Sequence, residues 1–360
     1  MIVIADDITG AAEIAGIAFA QGQEVRLVCG DSVCSCGTAT NTTTVIATDT
    51  RSLSEAEAIA ETRHITKLHK RDGSFCVIFK KTDSALRGHV VAELAALLEA
   101  TGYQRAVYLP ANPSKGRVIH GGTYYINGKP IHETDFSFDP EFPAKTSVLK
   151  ERFPDAEAKG IIMPDAENED DIRNVINQYN DGKTLFAGAA DLFSEMIGMG
   201  CGRLKKTIAK HPVPINQSKN STLILCGSTQ SKALDLGIPI APMPREVYDG
   251  NTDLSLWDTT AYDEQHSLIL TMPFTHRTGK EAAVHLRNMM GQKAKELVIR
   301  HTPDHLIIEG GATAWATLQA LDWQDFTIVR QIAPGVVQMS ATNGTLVTLK
   351  PGSYPWGNMF

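Results

Sequence analysis

Three short apolar runs near the start of the chain each stop at a cluster of polar side chains and pass straight into a helical segment. Ile2 to Ala5 stops at Asp6-Asp7, after which Ile14, Ile17 and Ala18 repeat at helical spacing. Thr44 to Thr48 stops at Asp49-Thr50-Arg51, and Ser54 with Glu57 three residues later has the pattern of a capping box. Phe75 to Phe79 stops at Lys80-Lys81-Thr82-Asp83-Ser84. A helix is expected over about Leu86 to Ala100, with Val90, Val91, Leu94, Leu97 and Leu98 on one stripe. Runs this short have the length of buried strands, and strand–helix alternation builds βαβ units with a mainly parallel sheet. Parallel strands bring like ends to one edge, and ligands collect at the carboxyl edge of such sheets. Asp6, Asp7, Arg51, Lys81, Thr82, Asp83, Ser84 and Arg87 are therefore the candidate site residues of the first half.

The alternation breaks over residues 111–147, which are rich in Gly, Pro, Asn and aromatic residues. Asn127-Gly128 between two β-like runs reads as a hairpin turn, and an insertion here reads as a functional lid. The pattern resumes to about Ile197. Gly198 to Ser221 is rich in Gly, Lys and Pro with little periodicity and reads as a boundary. At 360 residues the chain exceeds one ordinary core. The fold class expected is α/β, with two domains over 1–205 and 220–360. Each has a mainly parallel sheet flanked by helices, and the second ends in β-structure.

In the second domain two turns suit phosphate. Gly227-Ser228-Thr229 and Gly310-Gly311-Ala312-Thr313 each follow a strand and open a helix, where a glycine backbone and free N–H groups can meet an anion. Neither is a Walker A loop, and no dinucleotide fingerprint occurs.

Lys plus Arg is 34 against 41 for Asp plus Glu, a net charge of −7 that argues against a general nucleic-acid binder. The six cysteines (Cys29, Cys34, Cys36, Cys76, Cys201 and Cys226) lack zinc-ligand spacing and read as thiols of a reducing compartment. No leader pattern or membrane-length apolar run is visible, so a cytoplasmic protein without a membrane partner is expected.

The chemistry of the first-half residues suits a small polyhydroxylated anion. Asp6 and Asp7 can accept hydroxyl hydrogens, and one can serve as a general base. Arg51 can grip a carboxylate in bidentate fashion. Lys81 to Ser84, with Arg87, would offer cationic and hydroxyl donors at a helix N-terminus. Plainer roles compete: Asp6, Asp7, Asp83 or Ser84 as helix caps, and Arg51 paired with an acid of the protein. His120 and His132 flank the hairpin and are candidate substrate contacts, with surface imidazoles the plainer reading. No histidine spacing marks a metal site, so the metal ligands are unknown.

These residues resemble the four-carbon acid sugar kinases, which phosphorylate the 4-hydroxyl of threonate, erythronate or 3-oxo-tetronate with ATP. Ala5-Asp6-Asp7-Ile8-Thr9-Gly10 is similar to the family's opening A-D-D-x-T-G. Thr48 to Arg51 is similar to its T-x-S/T-R corner, and Lys80 to Gly88 to its K-K-x-D-S-x-L-R-G motif. Pro110 to Arg117 and Gly122 to Thr134 also correspond. The C-terminal likeness rests on Gly227 to Ser231, on Gly310 to Thr313 with Ala312 in place of the family's Glu, and on Lys350-Pro351-Gly352. The resemblance implies a sugar-acid site on the first domain and ATP with Mg²⁺ on the second, with the reaction in the cleft between them. Asp7 or Asp6 would be the base. Arg51, Lys81, Thr82, Asp83, Ser84 and Arg87 would hold the substrate, and Ser228, Gly310, Gly311, Ala312, Thr313 and Gly352 the nucleotide. Two alternatives remain: a sugar-acid sensor of the same fold without turnover, which Ala312 favours, and an aldolase or isomerase using Lys81 covalently. The oligomeric state is left open, a homodimer included.

Overall fold

Strand β1 (Ile2–Ala5) lies inside the sheet of the first unit, with Ile2, Val3, Ile4 and Ala5 all at most 1% exposed. In the computed structural model, which describes residues 1–31, 41–69, 78–139, 141–200, 221–228, 236–272, 279–352, 354 and 356, the chain divides into units Met1–Thr207 and Ile208–Phe360. The boundary expected over 198–221 falls largely on residues 201–220, outside the described residues. After β1 come α1 (Ile8–Ala20), β2 (Glu24–Cys29), β3 (Thr42–Ala47), α2 (Glu55–Leu68), β4 (Ile78–Lys81), α3 (Val90–Thr101) and β5 (Arg105–Leu109). The insertion carries β6 (Arg117–His120), β7 (Thr123–Ile126), β8 (Lys129–Pro130) and α4 (Leu149–Arg152). Then follow β9 (Ile161–Ile162), α5 (Glu169–Tyr179), β10 (Thr184–Gly188) and α6 (Ala190–Gly200).

The main strands pair in parallel in the order β2-β3-β1-β4-β10-β5-β9. From β1 the chain builds β2 and β3 to one side and β4 to the other, so the order reverses at β1. Register then does the positioning. Ala5 lies beside Ala47 of β3 and beside Lys81 of β4, so the residues after these three strands leave from one edge at one height. The capping box at Ser54 is present and starts α2. In the insertion, β6, β7 and β8 form a separate antiparallel sheet, and Asn127-Gly128 closes the expected two-residue hairpin with both φ angles positive.

Two expectations are corrected here. The strand placed at Phe75 to Phe79 is β4 at Ile78–Lys81, with residues 70–77 outside the described residues. Lys80 and Lys81 are strand residues, because each buries its ammonium against an acid of the protein. The helix placed from about Leu86 begins at Val90. Asp83 accepts the N–H groups of Ala85 and Arg87, and Leu86 takes φ +62°, which holds Thr82 to Gly88 as a turn.

The second unit runs β11 (Thr222–Cys226), β12 (Ile240–Pro242), α7 (Arg245–Tyr248), α8 (Ala261–Gln265), β13 (Ser267–Thr271), α9 (Lys280–His301), β14 (His305–Glu309) and α10 (Gly311–Leu321). It closes with β15 (Asp325–Ala333), β16 (Val336–Ala341) and β17 (Leu346–Lys350). Its strand order is β12-β13-β11-β14-β17-β16-β15, parallel from β12 through β17 and antiparallel at β16 and β15. Cys226, Glu309 and Lys350 end three adjacent parallel strands at one level. Among the described residues no helix is long and apolar enough to cross a membrane.

Candidate active site

Asp7 is the N-cap of α1. Its Oδ1 accepts the Gly10 N–H at 2.8 Å, and its Oδ2 accepts the Thr9 hydroxyl at 2.6 Å. A Cβ at position 10 would stand 2.6 Å from Asp7 Oδ1 and 3.3 Å from Lys81 Nζ, so only glycine lets these groups close in. The capping role is real, and it coexists with a second one. Arg51, just beyond the end of β3, donates from Nε and Nη2 to Asp6 Oδ2 at 3.0 and 2.9 Å and from Nη1 to Asp7 Oδ2 at 3.1 Å. Its Nη1 also lies 3.7 Å from Asp83 Oδ1. Arg51, expected to grip a substrate carboxylate, is thus already bonded to acids of the protein, as the plainer reading had it. Three carboxylates leave neighbouring strand ends, and one guanidinium holds them together.

The three acids are not equivalent. Burial raises the pKa of Asp6, and the pull of Arg51 does not offset it. Its side chain is 2% exposed, and its Oδ1 has no partner among the described residues. Burial also opposes charge on Asp7, but Arg51, Lys81 and the Thr9 hydroxyl outweigh it and lower the pKa. For Asp83 burial is likewise outweighed, by Arg51 and Arg87, and the carboxyl is held well below its ordinary range. Asp7, with its pKa lowered and a 17% exposed side chain, is the member of the Asp6–Asp7 pair that a ligand can reach.

Lys81 is 3% exposed; its Nζ donates to the Thr82 carbonyl at 2.8 Å and lies 3.6 Å from Glu13. A covalent role for this lysine finds no support in a side chain held between a carbonyl and an acid. Lys80 points elsewhere, with Nζ 2.5 Å from Glu93 Oε2, and Glu93 also accepts the Thr50 hydroxyl at 2.8 Å. Arg87 forks onto Asp83, with Nε to Oδ2 at 2.8 Å and Nη2 to Oδ1 at 3.0 Å. Neither Ser84 nor Asp83 caps a helix, since the cap residue of α3 is His89.

The insertion is fastened to this edge. Tyr124 donates its hydroxyl to the Ser84 carbonyl, Arg117 donates from Nη1 to Ser84 Oγ, and Lys115 pairs with Glu13. The Phe136 ring lies under two guanidinium groups, Arg87 at 5.9 Å and Arg117 at 5.7 Å. His120 faces Glu167 on the surface and His132 faces Ser147, so neither joins the cluster.

In the second unit the three turns expected to hold a nucleotide meet. The Gly227 N–H reaches the Glu309 carbonyl at 3.2 Å, and the Gly310 N–H reaches the Lys350 carbonyl at 2.9 Å. A Cβ on Gly227 would overlap Thr313, at 2.7 Å from its Cβ and 2.8 Å from its Cγ2. A Cβ on Gly352 would stand 2.7 Å from the Cβ of Ser228. Lys350 pairs with buried Glu309 and donates to the Pro351 and Gly352 carbonyls at 3.1 and 3.3 Å, which fixes the last turn. Gly311, Ala312 and Thr313 open α10, whose start has no side-chain cap, so its first N–H groups are available to an anion. Ala312 is exposed and Thr313 buried. Thr229 and the helix expected after it lie outside the described residues. Burial, with Glu309 adding to it, pushes the Cys226 thiol up to about 12, which leaves it a poor nucleophile.

A family model described as a sugar-binding N-terminal domain matches residues 1–155, and one described as a nucleotide-binding C-terminal domain matches residues 252–354. Together they take in well over half of the chain. The chain belongs to the four-carbon acid sugar kinase family. It is 27% identical to a 3-oxo-tetronate kinase of Brucella melitensis, over 98% of this chain and 92% of the relative. It is 35% identical to a D-threonate kinase of Cupriavidus necator over a shorter stretch, 37% of this chain and 31% of the relative. A crystal structure from Haemophilus influenzae superposes with a TM-score of 0.72 at 21% identity, covering 99% of this chain and 97% of that one, and shows a common fold. The sugar-binding match contains the whole strand-end cluster of the first unit. The nucleotide-binding match contains Gly310 to Thr313 and Gly352.

Sequence reasoning missed Glu13, Lys115 and Arg117. Glu13 had a signal, as the one charged residue in an otherwise apolar α1. Lys115 and Arg117 sit in the segment similar to the family's P-A-x-P-x-x-G-R, but nothing in their spacing shows which strand end they reach.

Proposed function

We propose that the protein transfers the γ-phosphoryl group of ATP to the 4-hydroxyl of a four-carbon sugar acid: threonate, erythronate or 3-oxo-tetronate. The observation that carries this reading is the contrast between the two strand edges. One presents ionised Asp7 among fixed cations, and the other presents glycine turns beside an uncapped helix start. Asp7 orients the attacking hydroxyl and takes up its proton. Its own position is set by Thr9, Gly10 and Arg51. A carboxylate with a lowered pKa is a weak base, and that is adequate where catalysis is mostly positioning and charge stabilisation. Asp6 serves as the buried anchor of Arg51, and Lys81, Thr82, Asp83, Ser84 and Arg87 shape the walls.

The residues present fit a nucleotide. The N–H groups opening α10, Ser228 and the Gly352 turn would hold its phosphates. Among the described residues no three His, Cys, Asp or Glu side chains form a metal site, so Mg²⁺ would be carried chiefly by phosphate oxygens and would neutralise their charge. The test is ADP release measured with a panel of tetronates. Turnover of at least one, above the rate with ATP alone, is expected. Binding of a tetronate without ADP release would instead establish the sensor reading, which Ala312 in the α10 turn favours.

A further inference from the structure

A sugar acid has a carboxylate at one end of its chain and the reacting hydroxyl at the other. The site must therefore offer a cation that is not already matched and that stands apart from Asp7. The cations around the Asp83–Ser84 turn differ in what they are bound to. Arg51 is held by Asp6 and Asp7, Lys81 and Lys115 by Glu13, and Arg87 by Asp83. Arg152 spends both terminal nitrogens on the carbonyls of Leu86, Phe142 and Pro143. Arg117 is different. It gives one N–H to Ser84 Oγ and rests on the Phe136 ring, and among the described residues its guanidinium meets no carboxylate. Among the described residues the remaining four N–H donors of this five-donor fork have no hydrogen-bond partner.

We infer that Arg117 receives the carboxylate of the sugar acid. The inference rests on the kinase reading above and adds the residue that would select acids over neutral polyols. Arg51 is unsuited to that task for two reasons. Its charge is shared among acids of the protein, and its Nη1 is bonded to Asp7 itself. A carboxylate drawn there would meet a like charge at the end where the hydroxyl must react. Arg117 meets the turn at Ser84, whereas Asp7 is bonded to Arg51, so the two groups hold different members of the cluster. Its stem is half-buried and the Phe136 face fixes the fork, so little freedom is lost on binding.

The experiment compares wild type, Arg117→Met and Arg117→Lys with D-threonate and D-erythronate, and with threitol and erythritol as neutral counterparts. Both ADP release and titration calorimetry are read. Arg117→Met should raise KM and Kd for the acids by about 100-fold, change kcat by less than about fivefold, and leave the Kd of any polyol that wild type binds within about threefold. Arg117→Lys keeps the charge but loses the fork and should fall between the two. It also serves as the working variant if Arg117→Met does not fold, as judged by circular dichroism. If wild type binds an acid but releases no ADP, the kinase reading fails, and the calorimetric loss in the variants still decides the role of Arg117. The inference is overturned if Arg117→Met holds the acids within about threefold of wild type, if acids and polyols weaken alike, or if wild type binds none of these acids.

Discussion

Arg51 turns Nε and Nη2 onto a single oxygen of Asp6, Oδ2, at 3.0 and 2.9 Å, and leaves the other oxygen of that carboxylate without a partner among the described residues. The arginine is thereby committed to the protein before any substrate arrives. It acts as the keystone of three strand ends, because Asp6, Asp7 and Asp83 would repel one another without it.

Replacing Arg51 with Met should be costly to folding as well as to activity. It leaves Asp6 buried beside two further acids with no counter-charge, a loss of about 3–5 kcal/mol by analogy with other broken buried pairs. Urea denaturation at neutral pH measures it. Asp6→Asn added to Arg51→Met should recover a good part of that stability. A double variant as unstable as the single one would show that Arg51 acts through packing.

Asp7→Asn separates the cap from the chemistry. Asparagine still accepts the Gly10 N–H, so the start of α1 is retained. The hydroxyl-orienting carboxylate is lost, and kcat should fall by about 10²- to 10⁴-fold with KM for ATP nearly constant. Because Arg51, Lys81 and Thr9 lower the Asp7 pKa against the effect of burial, the group is ionised at and above its ordinary 3.8. The wild-type rate should accordingly show no acid limb from Asp7 between pH 5 and 8. Intact activity in Asp7→Asn would reduce this residue to a helix cap.

The strand ends were legible in the sequence because parallel pairing needs only short apolar runs, and the matched heights of Ala5, Ala47 and Lys81 then follow. The partners of the charges were not legible. Arg51 reads from sequence as a free fork, and only the packed structure shows three acids within its reach. Leu86 to Gly88, the end of the turn, read from sequence as the start of a helix because the apolar spacing that follows suits one. Asp83 wins the competition for the backbone N–H groups, and that is a side-chain choice rather than a periodicity. Lys115 and Arg117 come from a segment more than thirty residues away from Ser84 in the chain, whose landing place no local pattern encodes.

Gly227→Ala tests the nucleotide edge. The added methyl would overlap Thr313, which is 2% exposed on α10 and has no room to yield. The turn and the helix start must part, at about 1–3 kcal/mol for an overpacked site. Affinity for ATP, read with a fluorescent analogue, should weaken at least about tenfold, while calorimetric binding of a tetronate to the other unit should be unchanged. Adding Thr313→Gly to Gly227→Ala should restore part of the ATP affinity. Equal loss for both ligands would mean that the glycine serves general folding only.

His305 offers a readout of the second unit alone. It opens β14, with Nε2 2.8 Å from Thr348 Oγ1, and burial lowers its pKa from 6.5 to about 4. The folded chain therefore resists a proton that the unfolded chain accepts. Stability is complete above pH 6.5, declines as the pH falls toward 4, and levels off below that, for a total of about 3 kcal/mol. The four tryptophans, Trp257, Trp315, Trp323 and Trp356, all lie in the second unit, so their emission during urea unfolding reports that unit. Wild type should lose stability between pH 7.5 and 4.5 by more than His305→Gln does, since glutamine keeps a polar partner for Thr348 and cannot take a proton. Parallel losses in the two proteins would place the acid sensitivity of this unit in its carboxylates rather than in His305.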